Sequence, residues 1–256
     1  MEADLRILIL ICPLVFLAGI IDAVAGGGGL ITLPAYLIAG LPPHMATATN
    51  KCGSTFGTVF ATARFLRGGK IRLKSALCAA AAALAGSLLG ARLNLIVSDR
   101  ILTYIMLIVV PVMAVFLFLK RDFGTEDHSD SLSPASLLLR AAGIGLVVGT
   151  YDGFFGPGAG TFLTLAFCRI CRFDLLTSSG NTKMVNAASN AAALVTFAFS
   201  GQVLWAIGIP AAFCSIAGNY VGASLALKKS AKIIRPMLFV VMGLLILRLA
   251  YDIFIK

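Results

Sequence analysis

The sequence predicts an all-α integral membrane protein. Of its 256 residues, 59% are hydrophobic and only 12% are charged, whereas a soluble domain is nearer half apolar and a quarter charged. The formal net charge of +10 comes from lysines and arginines that stand between apolar blocks, as membrane topology requires. We therefore expect a multi-pass membrane protein, in contact with the lipid bilayer and with no nucleic-acid partner.

A motif that occurs twice predicts that the chain is built from two related halves. The segments "DAVAGGGGL" at 22–30 and "DGFFGPGAGT" at 152–161 each place an aspartate before a glycine-rich break. Asp22 recurs 130 residues later as Asp152, and Lys51 recurs 132 residues later as Lys183. Because such a duplication marks a repeat architecture, we predict a first repeat at 1–122, a polar linker at 123–134 and a second repeat at 135–256.

Each half predicts the same order of helices. A long apolar helix precedes the glycine break, a short apolar segment follows it, and three further helices complete the half. The predicted ranges are 5–24, 29–40, 45–65, 73–95 and 100–119 in the first half, and 136–154, 159–170, 177–199, 203–226 and 233–254 in the second. Since the break recurs in mid-chain, we expect residues 22–30 to belong to the mature fold.

The two short segments leave the number of membrane crossings open. About a dozen helical residues reach only roughly half of a 30 Å hydrocarbon core, so the segments belong either to broken crossings, ten in all, or to re-entrant hairpins beside eight spanning helices. Ten crossings place most lysines and arginines on one side, which the positive-inside rule favours. Five crossings per half then make the repeat inverted, with both termini outside and residues 64–74 and 228–235 cytoplasmic.

The glycine-rich breaks predict a binding site. A broken helix is tolerated within a membrane only where it is buried in protein or lines a wet cavity. Glycines leave backbone amides uncovered, and the helix that follows begins with its positive dipole end at the break. Such a site suits an anion, although the glycines also allow helices simply to pack closely. The candidate residues are Gly27, Gly28, Gly29, Gly156, Gly158 and Gly160.

Two lysines inside apolar helices indicate the same site. An ammonium in hydrocarbon costs at least ~2.5 kcal/mol, so Lys51 and Lys183 should face a cavity or a counter-ion. At helical spacing, Lys51 shares a face with Ser54, Thr55 and Thr58, and Lys183 shares one with Asn186 and Asn190, while Asn50 and Asn181 stand beside these faces. The other interpretation is a structural salt bridge with Asp22 or Asp152. The two are compatible, because an anionic substrate can displace a resting carboxylate. These aspartates could also carry protons or cap the short helices.

The cysteines do not predict a metal site. Cys168 and Cys171 form one CxxC pair, and a single pair without a nearby histidine is half a zinc site at best. Ordinary packing is the simpler interpretation. We expect neither a metal nor another cofactor.

The motifs resemble those of the sulfite exporter TauE/SafE family of membrane permeases. The residues that carry the resemblance are "GIIDAVAGGGGLITLPAYLIAGLPPHMATATNKCGST", Gly69-Lys70-Ile71, "GLVVGTYDGFFGPGAGTFL" and "GNTKMVNAASNAAAL". The resemblance covers essentially the full length. It implies transport of small sulfur-containing anions such as sulfite or organosulfonates.

With this resemblance, the sequence predicts a secondary transporter of a bacterial inner membrane rather than an enzyme. The anion would lie near mid-membrane between the two breaks, and a homo-oligomer is compatible with the pattern. There is no ATP-binding motif, so uphill flux would draw on an ion gradient. Two alternatives stay open: an uncoupled anion channel at the same site, and a membrane thiol or sulfur-relay protein that uses Cys168 and Cys171.

Overall fold

The protein is helical throughout the residues that its structure, a computed structural model, describes. These are residues 5–105, 108 and 126–229. The helices are α1 (Leu5–Ala25), α2 (Gly29–Ile38), α3 (Pro43–Arg67), α4 (Leu73–Ile96), α5 (Pro134–Phe154), α6 (Ala159–Ile170), α7 (Leu175–Phe199) and α8 (Trp205–Lys229), with a 3₁₀ turn at Ser129–Ser131. Residues 99–105 are also helical.

The all-α prediction is confirmed, and the breaks fall where the glycine motifs predict them. The helix predicted at 233–254 and most of the one predicted at 100–119 lie outside the described residues. The inverted orientation of the halves, their bounds and the choice between ten and eight crossings stay predictions.

The helices begin and end at residues suited to those positions. Pro134 opens α5 behind Ser133, whose hydroxyl accepts a hydrogen bond from the Ser136 amide at 3.3 Å. Asp174 caps α7 by accepting from the amides of Leu176 and Thr177 at 2.9 and 3.0 Å. A capping carboxylate satisfies amides that have no acceptor in their own helix.

A glycine follows each of the two long apolar helices that precede the breaks, α1 and α5. Gly26 follows α1 with φ of +73°, and Gly156 follows α5 with φ of +96°. Gly158, just before α6, has φ of +82°. Because L-residues with a side chain rarely adopt positive φ, these positions explain why the motif needs glycine at the break.

The helices divide into an apolar set and a polar set. Within the described residues, α1, α4, α5 and α8 are long and apolar enough to cross a membrane. Helices α3 and α7 have 25 residues each, about 37 Å at 1.5 Å per residue, but they carry many threonine, serine and asparagine side chains. These two helices pack against each other, α8 packs on α3, and α4 packs on α7. The polar helices therefore lie at the centre, where their side chains face protein.

Two helix pairs, α4 with α5 and α1 with α8, pack closely. Their contacts lie at positions related by the offsets of the sequence repeat. An added Cβ on Gly90 of α4 would lie 2.0 Å from the Thr150 carbonyl oxygen of α5. At the equivalent place, an added Cβ on Gly222 of α8 would lie 2.3 Å from the Ile20 carbonyl oxygen of α1. Gly86 and Gly218 contact the carbonyls of Leu146 and Phe16 in the same way. Gly86 with Gly90, and Gly218 with Gly222, thus form small-xxx-small faces that let helix backbones pack closely.

A single methyl group tests this packing. We expect Gly90→Ala to lower the free energy of unfolding by about 1–3 kcal/mol, because the methyl has no room and α4 and α5 must separate. Gly143→Ala is the matched control in α5: an added Cβ there has nothing within 4 Å, and alanine favours a helix by about 0.5–1 kcal/mol. Thermal unfolding in detergent measures both. Equal stability of the two variants would contradict this account of the helix pair.

Candidate functional site

The two glycine breaks meet. An added Cβ on Gly26 would lie 2.4 Å from the carbonyl carbon of Gly160, and one on Gly29 would lie 3.2 Å from Cα of Pro157. The Thr161 hydroxyl of α6 donates to the Gly26 carbonyl oxygen. The starts of α2 and α6 therefore lie side by side. Close packing accounts for Gly26, Gly29 and Gly160, in addition to any role at a binding site.

A polar cavity opens between the breaks and the central helices α3 and α7. Its empty volume, including the opening, is about 360 Å³. The lining residues are Asp22, Gly26, Gly27, Gly28, Gly29, Asn50, Lys51, Ser54, Thr58, Asp152, Gly156, Gly158, Gly160, Asn186 and Asn190. We call it the central cavity. Ten of the twelve predicted anion-site residues and both predicted aspartates line it.

One ion pair in the central cavity joins α3 to α5. Lys51 Nζ lies 2.8 Å from Asp152 Oδ1, with 2% and 5% of the side chains exposed. Lys51 Nζ also donates to Asn190 Oδ1 at 2.8 Å, and the Ser189 hydroxyl donates to Asp152 Oδ2. Both charged groups are therefore deeply buried and hydrogen bonded by further side chains.

A second ion pair joins α7 to α1. Lys183 Nζ lies 2.8 Å from Asp22 Oδ2 and also donates to the Asp22 carbonyl oxygen. The Gly28 amide, directly before α2, donates to Asp22 Oδ1 at 3.3 Å. The Asp22 side chain is 18% exposed, against 5% for Asp152. This carboxylate is therefore held by an ammonium and a helix N-terminus, and it is the more accessible of the two.

The two ion pairs are equivalent under the sequence repeat, and each crosses between the halves. Lys51 of the first half binds Asp152 of the second, and Lys183 of the second binds Asp22 of the first. The salt-bridge interpretation of the lysines is thus correct. Because removing one member of a buried pair would leave an uncompensated charge, each lysine depends on an aspartate of the other half.

Two predicted residues do not line the central cavity. Lys183 is not a lining residue, but its Nζ lies 2.8 Å from Oδ2 of Asp22, which lines the cavity. Asn181 is fully buried, and its side-chain nitrogen donates to the Thr177 carbonyl oxygen within α7 at 2.9 Å. Lys183 is therefore linked to the cavity through its ion pair with Asp22, while the Asn181 side chain bonds its own helix through its nitrogen and leaves its buried Oδ1 without a hydrogen-bond partner.

Sequence reasoning missed two hydroxyl groups. Ser189 binds Asp152, and it could have been found because it lies three residues after Asn186 on α7. Thr32 of α2 donates to Asn50 Oδ1 at 2.6 Å. It lies within an apolar segment, and nothing in the sequence pattern marks it.

One of the residues of α7 that line the cavity has an unsatisfied side-chain oxygen. Asn186 is 4% exposed and lines the cavity, and its Oδ1 has no hydrogen-bond partner. An added Cβ on Gly160 would lie 2.9 Å from its Nδ2, so the amide group reaches the start of α6. A buried acceptor without a donor costs about 1–3 kcal/mol, which a bound molecule could offset.

The CxxC cysteines are buried. Cys168 is 7% exposed and Cys171 is fully buried, and the Cys168 thiol donates to the Ser178 hydroxyl at 3.1 Å. Neither lines the central cavity. Among the described residues, no group of three or more histidine, cysteine, aspartate or glutamate side chains could hold a metal ion.

Comparison with known proteins identifies the family of this chain. The family model for the sulfite exporter TauE/SafE matches residues 11–249. The chain belongs to the TauE/SafE family. It is 39% identical to "Probable membrane transporter protein ORF9" of Sinorhizobium sp over 93% of this chain and 90% of the relative.

Further relatives carry similar names. The chain is 38% identical to "Probable membrane transporter protein YfcA" of Escherichia coli (strain K12), over 92% of this chain and 87% of the relative. A "Probable membrane transporter protein" of Haemophilus influenzae is 32% identical over 98% of both chains. No solved structure matches. This TauE/SafE protein is therefore a multi-pass bacterial membrane transporter and not an enzyme.

Removal of one charge tests whether the crossed pairs hold the TauE/SafE fold together. We expect Lys51→Met to lower the free energy of unfolding by about 3–5 kcal/mol, because Asp152 keeps a buried charge without a partner. The double variant Lys51→Met, Asp152→Asn should recover most of this loss, since neither charge is then left alone. Thermal unfolding of purified protein checks both. If the single and double variants are equally unstable, the pair does not have this role.

Proposed function

We propose that the protein is a secondary transporter of small sulfur-containing anions such as sulfite or organosulfonates. The anion would bind near mid-membrane between the two glycine breaks. The observation that carries this proposal is the setting of Asp22, whose carboxylate accepts from Lys183 Nζ and from the Gly28 amide. A sulfite or sulfonate group is also a small oxyanion, and it could take the same donors.

In this mechanism Asp22 acts as a tethered anion that the substrate displaces. Its exposure of 18% and its place at the cavity wall make its carboxylate exchangeable. The substrate oxygens would then accept from Lys183 and from the N-terminal amides of α2, where the helix dipole favours negative charge. The substrate replaces one negative charge by another, so the Lys183 ammonium remains compensated.

The second ion pair has a different role in this proposal. Asp152 is almost fully buried, and Ser189 and Asn190 bind the members of its pair with Lys51. These additional hydrogen bonds favour an ion pair that the substrate does not displace. Lys51 still lines the central cavity, where it adds positive potential, and the Asn50, Asn186 and Asn190 amides supply neutral hydrogen bonds.

Displacement of Asp22 offers a route to ion coupling. Once the substrate occupies its donors, the Asp22 carboxylate has lost its ammonium in a poorly solvated cavity. A proton or another cation that then neutralises Asp22 would favour the loaded state. Asp22 is therefore the preferred coupling residue, and Asp152 is the second candidate.

The alternatives differ in what supports them. An uncoupled channel would use the same cavity and is separated from a transporter by its response to ion gradients. A thiol relay would need a reactive thiolate, and buried structural cysteines are usually inert. The burial of Cys168 and Cys171 favours packing over thiol chemistry.

The anion competes with Asp22, and this competition can be measured. We expect Asp22→Asn to tighten sulfite binding about 10-fold or more, because neutral asparagine competes less for Lys183; a tenfold change corresponds to about 1.4 kcal/mol. Asp152→Asn is the matched control and should not tighten binding. Sulfite titration of purified protein by calorimetry gives both affinities. Unchanged affinity in Asp22→Asn would contradict displacement of this carboxylate.

Sulfite transport measured in proteoliposomes distinguishes a coupled transporter from a channel. A coupled transporter should accumulate sulfite against its gradient, and an ionophore that collapses the driving ion gradient should abolish the accumulation. Sulfite flux that only equilibrates, whatever ion gradient is imposed, would indicate the channel.

A further inference from the structure

We propose that a second cavity beside the central one binds a small monovalent cation, with Asp22 and Asn219 as its ligands. This second cavity has an empty volume of about 310 Å³ including its opening. Its lining residues are Val15, Ala18, Gly19, Asp22, Gly28, Gly29, Thr32, Tyr36, Asn50, Gly53, Ser54, Ser215 and Asn219. It shares Asp22, Gly28, Gly29, Asn50 and Ser54 with the central cavity.

The lining of the second cavity suits a positive charge. Asp22 is the one charged residue among those that line this cavity, and no lysine or arginine lines it. The other polar groups are hydroxyls of serine, threonine and tyrosine and amides of asparagine, all of which present oxygen. Hard cations take carboxylate, carbonyl and amide oxygens as ligands, and transporters place such ions beside broken helices near the midplane.

Asn219 supplies the observation that indicates a ligand. Its side chain is 2% exposed, and its Nδ2 donates to the Ser215 carbonyl oxygen at 3.0 Å and to the Ser215 hydroxyl at 3.3 Å. These two acceptors fix which end of the amide is nitrogen. The remaining Oδ1 is buried without a hydrogen-bond partner. An unmet buried acceptor is costly, and a cation would satisfy it.

Two polar residues of the second cavity have smaller counterparts in the other repeat. At the offset of 132 residues, Ser215 and Asn219 of α8 correspond to Ala83 and Ser87 of α4. Thr32 corresponds at the same offset to Thr164, whose hydroxyl also bonds the carbonyl four residues before it and a polar side chain of the next helix. Ser87 is satisfied, because its hydroxyl donates to the Ser189 carbonyl oxygen at 2.6 Å. A feature needed only for packing would not require the Ser215 and Asn219 oxygens on one side, so the difference favours a specialised site.

The position of Asp22 links this cation to the anion of the proposed function, on which the coupling step rests. Asp22 lines both cavities. When the anion takes Lys183, the Asp22 carboxylate loses its counter-ion, and a cation in the second cavity replaces it. Binding of each ion should therefore favour binding of the other, and thermodynamic linkage makes the effect reciprocal.

The cation site is tested first without sulfite. Purified full-length protein is unfolded thermally in sodium chloride and in choline chloride at equal ionic strength, with lithium and potassium as further arms. Because a ligand that binds only the folded state stabilises it, we expect a higher melting temperature with at least one small cation than with choline. This result does not depend on whether sulfite is the substrate.

Variants of Asn219 test whether the stabilisation by the cation arises at the second cavity. We expect Asn219→Ala to lose the stabilisation by the small cation, whereas Asn219→Asp, which keeps the oxygen and the shape, retains or strengthens it. Ser87→Ala, at the equivalent position of the other half, is the matched control and should respond as the unchanged protein does. In the unchanged protein, the small cation should tighten sulfite binding about 5-fold or more over choline.

Three results would overturn the proposal. One is the same melting temperature in choline and in every small cation. Another is an undiminished cation effect in Asn219→Ala. The third is sulfite affinity that follows pH but not the small cation, because the positive charge would then be a proton on Asp22.

Discussion

Two buried ion pairs between opposite halves of the chain are the constraint on which the rest of the structure depends. Lys51 with Asp152 and Lys183 with Asp22 place four charges inside a bundle of largely apolar helices. Charges at membrane depth are stable only when they are paired or reach water. Each lysine binds an aspartate of the other half, so the observed pairing of the charges requires both halves.

The arrangement of the helices follows from this constraint. Helices α3 and α7 carry the lysines and most of the buried hydroxyl and amide groups, so they take the centre and contact each other. Glycines on α4 and α8 let α5 and α1 approach within backbone contact, which carries Asp152 and Asp22 to the lysines. The glycine breaks then end α1 and α5 beside the aspartates and present the starts of α2 and α6 to the same cavity.

The sequence predicted much of this, and the exceptions have physical reasons. Hydropathy predicted the helices and the glycine motifs predicted the breaks. The cost of a buried charge left a lysine–aspartate salt bridge as one of two interpretations of the lysines. Which aspartate each lysine binds depends on tertiary packing, so Asp22 could not be assigned to Lys183 beforehand. Asn181 lies beside the face that Lys183 shares with Asn186, and it does not line the central cavity. Asn219 is a neutral residue in an apolar helix, and only the structure shows its unsatisfied oxygen.

The central claim is that a substrate anion replaces Asp22 on Lys183 and on the Gly28 amide. The most direct measurement is an experimental structure of the full chain determined with sulfite. The account predicts an anion within hydrogen-bonding distance of Lys183 Nζ and the Gly28 amide, with the Asp22 carboxylate turned away from both and the Lys51–Asp152 pair intact. An anion bound elsewhere, with Asp22 still on Lys183, would contradict it.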